Sequence, residues 1–131
     1  MEDMDSIISG IKKKKGIMNI SICPTITYDD LKKFEGADKH DIVPAVADII
    51  DKRIYANYRL FPNNYIAYDW LSGTSTFKKH YTDEEKDTFK AYTDKIFSKL
   101  LDELGNEAES RFTEILLGIY AIPVENKIKN S

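Results

Sequence analysis

Residues 55–71 read YANYRLFPNNYIAYDWL. Tyrosine and tryptophan side chains carry an apolar body and a polar handle, so a stretch this dense in them packs a surface and fixes hydrogen bonds together. Phe61-Pro62 divides the block, because a residue before proline is pushed toward extended backbone. Pro62 itself suits the first position of a helix, where its missing N–H costs little. The spacing therefore predicts a helix over 63–71, ending before Gly73 and the surrounding Ser/Thr loop.

Upstream of the block, Asp41 is a candidate cap for a helix over 42–57. Its apolar stripe is Ile42, Val46, Ile49, Ile50 and Ile54, and Pro44 falls within its first turn. A shorter helix is expected over 28–35, stopped by Gly36. Before it, 17–23 (IMNISIC) alternates Met18, Ile20 and Ile22 with Asn19, Ser21 and Cys23. That period of two predicts a half-buried strand, which Pro24 ends.

Downstream, Thr82 and Glu85 form a capping box that opens a long helix over 83–104. Its apolar face is Phe89, Tyr92, Ile96, Phe97, Leu100 and Leu104, and Gly105 is the expected stop. Asn106 with Glu109 repeats the capping pattern for a last helix over 107–121, bearing Phe112, Ile115, Leu116 and Ile119. Pro123 is expected to end it, leaving a frayed lysine-rich tail.

The expected fold is therefore mainly α, with one lone β-strand near the N-terminus. A buried strand must pair its backbone groups, and no second convincing strand is present. The sheet that receives 17–23 is thus expected outside this chain, in a second copy or in a missing N-terminal portion.

Composition narrows the function classes. The chain has 131 residues, about one domain's length, and a net charge of −3, which gives no global attraction to nucleic acid. The one basic cluster, Lys12–Lys15, is short, and a solvated turn is its first reading. One cysteine, Cys23, excludes an internal disulfide and suits a reducing compartment. The acidic N-terminus is unlike a signal peptide, and no apolar run is long enough to span a bilayer.

No complete catalytic constellation is present. Two histidines and one cysteine do not supply a convincing zinc set. The six glycines are dispersed, so no phosphate loop forms. His40 and His80 both precede predicted helix caps, positions usually solvated. No catalytic residue, cofactor or metal is assigned. Arg59 and Asp69 are the informative charges of the aromatic block: structural organisers first, ligand contacts second.

Four phrases carry a family resemblance: KKGIMNISICPTI (14–26), ADIIDKRIYANYRLFPNNYIAYDWL (47–71), HYTDEEKDTFKAY (80–92) and IYAIPVENKI (119–128). Together they resemble the C-terminal portion of a bacterial branch of the glycerol-3-phosphate/1-acylglycerol-3-phosphate acyltransferase family. The resemblance covers nearly the whole chain in order. Family catalysis uses a histidine followed, after four intervening residues, by an aspartate. Here Ala45 lies five beyond His40, and Glu85 lies five beyond His80. The family's phosphate-binding Phe-Pro-Glu-Gly segment is met only by Phe61-Pro62-Asn63-Asn64, so no catalytic residue carries over.

The resemblance implies the helical C-terminal region of an α/β acyltransferase-like fold, present as a single domain or fragment over 1–131 and inactive alone. In the complete enzyme an acyl group would pass to a glycerophosphate hydroxyl during phospholipid biosynthesis. Arg59, Asn63, Asn64, Tyr65 and Asp69 are the candidate substrate-binding residues. The implied partner is the N-terminal catalytic portion, with peripheral contact at the cytoplasmic face of the membrane and no nucleic acid. The alternative is a small soluble helical interaction module, dimeric through 17–23.

Overall fold

In a computed structural model that describes residues 2–12, 16–104 and 109–131, the chain is mainly helical. Six helices follow in order: α1 (Glu2–Lys12), α2 (Tyr28–Lys32), α3 (Lys39–Asn57), α4 (Pro62–Ser72), α5 (Asp83–Leu104) and α6 (Glu109–Lys129). A 3-10 turn, Lys78–His80, links α4 to α5.

Pro62 opens α4 as its spacing predicts, and the Asn64 side chain accepts the Phe61 N–H at 2.8 Å. Gly73 closes the helix at φ +63°, a left-handed conformation that side chains disfavour. The capping box of α5 also forms. The Thr82 N–H donates to Glu85 at 2.8 Å, and the Glu85 N–H donates back to the Thr82 hydroxyl at 3.1 Å. Gly105 and Asn106, with the side chains of Leu104 and Glu109, lie outside the described residues.

The core forms where α4, α5 and α6 meet. Ile66, Ala67, Phe89, Leu117, Ala121 and Val124 are all buried. Ala67 and Ala121 let α4 and α6 approach closely, and the large side chains fill the space around them. Burial of each of Ile66, Phe89, Leu117 and Val124 contributes about 1.5–3 kcal/mol.

Several sequence expectations are corrected. Residues 17–23 form no strand. They lie in a segment without regular secondary structure over 16–27, and the described residues contain no ladder for them to join. Without a partner the alternating side chains stay in solvent: Ile20 is 87% and Ile22 92% exposed. The helix expected over 28–35 ends at Lys32, and its last residues form a turn that Gly36 completes at φ +84°.

Asp38, not Asp41, caps α3, because its carboxylate accepts the His40 N–H at 3.3 Å. Pro44 consequently lies beyond the first turn, where it removes one backbone bond to the His40 carbonyl. Nor does Pro123 end the last helix, which continues to Lys129. The carbonyls beside it are held by other elements: Asn64 donates to Tyr120 at 2.8 Å, and the Tyr58 hydroxyl donates to Pro123. These ties hold α6 to the neighbouring elements around the proline, and the tail is helical.

The buried face of α6 is also different. Leu117, Ala121 and Val124 face the core, while Ile115 and Ile119 are mostly exposed. Helix α1 was not anticipated, although Met4, Ile7, Ile8 and Ile11 form a regular i, i+3, i+4, i+7 stripe. All four of these side chains are exposed.

Candidate functional site

The aromatic block divides between two clefts on opposite ends of α4. At its N-terminal end, Phe61, Pro62, Asn63 and Asn64 meet Glu84 and Thr88 of α5, Tyr120 of α6 and Ile17 of the 16–27 segment. This cleft has a volume of about 510 Å³. Asn64 is already committed, accepting from Phe61 and donating to Tyr120. Asn63 is exposed and free to turn toward a ligand. The Tyr120 hydroxyl donates to Tyr92 at 3.4 Å, and burial, followed by that bond, pushes it up to about 12.

At the other end, Asp69 is 3% exposed and organises the corner between α4 and α5. Its carboxylate accepts from the Thr74 hydroxyl at 3.1 Å, the Phe77 N–H at 3.0 Å and the Tyr81 hydroxyl at 3.0 Å. A buried carboxylate needs hydrogen-bond donors to offset its lost hydration, and here they come from three positions of one loop. Burial and the bond to Asp69 push the Tyr81 hydroxyl up. Above this corner lies a cleft of about 430 Å³, rimmed by Trp70, Thr74, Lys86 and Lys90. Lys86 and Lys90 stand one helical turn apart on α5, a spacing already present in the sequence.

Tyr65 lines neither cleft and packs on the loop that follows α4. Its ring stacks on His80 with centroids 4.3 Å apart and packs beside Phe77 at 5.2 Å. His80 is therefore held against aromatic rings, with no carboxylate oriented to make it a base. Arg59 is exposed over the Phe61 ring at 5.5 Å and makes no ion pair with Asp69. The five candidate residues are thus not one site: Asn63 and Asn64 line the first cleft, Asp69 the second, and Arg59 stands outside both.

A third constellation, unseen in the sequence, ties the 16–27 segment to α3. Arg53 donates to the Thr25 carbonyl at 2.6 Å and pairs with Asp30 at 2.7 Å. Asp30 also accepts the Thr27 N–H at 2.8 Å. That backbone bond, then Arg53, holds the Asp30 carboxyl down at about 2. The end of the segment is latched, and the part before it is not.

Among the described residues there is no cluster of three or more metal-ligating side chains. No described helix is long and apolar enough to cross a membrane. No family model, curated protein or solved structure matches the chain.

Proposed function

We propose that this chain is a non-catalytic helical region of a phospholipid-synthesis acyltransferase, a C-terminal companion to a catalytic part that bears the histidine and aspartate. The observation that carries the reading is the 16–27 segment: rich in exposed apolar side chains, outside any described ladder and latched at one end by Arg53. Such a segment is what a strand of a larger sheet becomes when the neighbouring strands are elsewhere.

The resemblance supports the same reading, since its second and fourth phrases meet physically through Tyr58, Asn64, Tyr120 and Pro123. In this role the α4–α6 body buttresses the core and helps shape the acceptor or acyl-chain site, with Asn63 the one candidate residue left uncommitted. The complete enzyme would act from the cytoplasm at the inner membrane face, where a glycerophosphate acceptor meets a thioester donor.

Two measurements test this. The purified chain should transfer no acyl group from acyl-CoA to lysophosphatidate. Turnover abolished by His80→Ala would overturn the non-catalytic assignment. Sequencing the DNA upstream of the Met1 codon should reveal a coding region with a histidine, four residues, then an aspartate. An upstream region coding for nothing of that kind would overturn the acyltransferase reading.

A further inference from the structure

The chain exposes more surface than a compact protein of its mass, and large apolar side chains of its N-terminal quarter lie in water. A compact monomer of 15.1 kDa exposes about 7,100 Å² by surface-to-mass scaling. This chain exposes 10354 Å², roughly 3,300 Å² more than that scaling gives. Stable interfaces remove about 1,200–2,000 Å² in total, so one copy carries ample surplus. Much of the apolar share lies in two adjoining pieces: the α1 stripe of Met4, Ile7, Ile8 and Ile11, and the segment bearing Ile17, Met18, Ile20 and Ile22.

Residues 17–23 also lack the two sequence devices that most directly protect a strand edge from pairing. They contain no charged side chain and no proline, and three β-branched isoleucines favour extended pairing. Asn19 donates to Ser21 at 2.9 Å, which marks those two side chains as neighbours on one side of the segment. In a paired strand the period of two places Met18, Ile20 and Ile22 on the other side.

We infer that in the chain as it stands a second copy covers this edge, through antiparallel pairing of 17–23 about a two-fold axis at Ile20. This register pairs the whole of 17–23, whereas a shift by two residues keeps the faces but leaves the ends unpaired. With Ile20 opposite its own counterpart, Met18 faces Ile22 of the second copy, and all six of these side chains share one face. Asn19 then faces Ser21 on the other face, and Ile17 faces Cys23. A shift by one residue would place apolar side chains opposite polar ones. The α1 stripes supply the apolar layer that a two-stranded ribbon needs, because such a ribbon is marginal alone. The inference does not rest on the acyltransferase reading, although the same edge would receive a core strand in a complete enzyme.

Light scattering with size-exclusion chromatography should give twice 15.1 kDa for the wild-type chain. Ile20→Lys places two like charges across the axis and should return the mass to the monomer value with an unchanged helical circular-dichroism spectrum. The register is read separately in a Cys23→Ser background. Ile20→Cys should form an intermolecular disulfide under mild oxidation, because directly opposed Cβ atoms lie within bridging distance. Met18→Cys should not do so alone, but should when mixed with Ile22→Cys. A monomeric wild-type chain, a dimer indifferent to Ile20→Lys, crosslinks in another register, or a different polypeptide seated on the edge would each overturn the inference. None of these results alters the acyl-transfer or upstream-sequence tests.

Discussion

The Tyr58 hydroxyl donates to the main-chain carbonyl of Pro123, 65 positions further along the chain. Lys127 completes a reciprocal tie by donating to the Tyr58 carbonyl at 3.0 Å and lying over its ring at 5.4 Å. The residue that interrupts the α6 backbone pattern is therefore the residue to which the α3–α4 junction attaches.

Removing this tie should lower stability without changing the fold. Tyr58→Phe should cost about 1 kcal/mol in urea unfolding, the usual contribution of one hydrogen bond. Asn64→Ala should cost more, about 2 kcal/mol, because it leaves both the Phe61 N–H and the Tyr120 carbonyl without that side chain. Equal losses from the two substitutions would contradict the assignment of two bonds to Asn64.

Asp69 should be the most sensitive polar position. Asp69→Ala strips the shared acceptor from Thr74, Phe77 and Tyr81 and should cost about 2–4 kcal/mol. Tyr81→Phe removes one donor and should cost about 1 kcal/mol. If Asp69→Ala unfolds at the wild-type midpoint, the carboxylate does not organise this corner.

Arg59 should matter little to stability. It stacks over Phe61 in an exposed position and has no carboxylate partner in Asp69. Arg59→Ala is expected to change the unfolding free energy by about 0.5–1 kcal/mol, the range of an exposed cation–π contact. A loss several times larger would restore the buried charge role expected from the crowding of tyrosines.

The Arg53 latch should respond to acid in a defined window. The Asp30 carboxyl is depressed from 3.8 to about 2, first by the Thr27 N–H and then by Arg53. A depressed carboxylate contributes stability that is full above its unfolded value and is lost as pH falls through its folded value. The Thr27 amide should accordingly stay at its neutral-pH chemical shift down to about pH 4, with Asp30 itself titrating near 2. Arg53→Ala should move the Asp30 midpoint upward in a carboxyl NMR titration. An unchanged midpoint would assign the whole depression to Thr27.

The sequence was most legible where one local rule decides the outcome. Thr82 with Glu85 sets the start of α5, Pro62 sets the start of α4, and Gly73 ends it, all through bonds within a few residues. Legibility failed where a distant partner decides. The helix runs on through Pro123, where Tyr58 and Asn64 bind the Pro123 and Tyr120 carbonyls, and no window about Pro123 contains those two residues. The face of α6 was misplaced for a similar reason: α4 selects small Ala121 for close approach, while a stripe count favours the larger isoleucines.

The candidate site shows the same division. The aromatic density of 55–71 marked the region that the clefts share, but not that its polar groups point to different ends of α4. Alternation in 17–23 predicts a strand, and the structure shows none there. Whether a ladder forms depends on a second edge, which the alternation itself does not contain.

Trp70, at the rim of the cleft above Asp69, is the chain's one tryptophan. Its position gives the protein a built-in optical partition. Indole emission reports the α4–α5 corner, whereas far-ultraviolet dichroism sums every helix, including α1 and α3. Divergence between the two signals during denaturation would therefore locate which part of the molecule loosens first, with no label introduced.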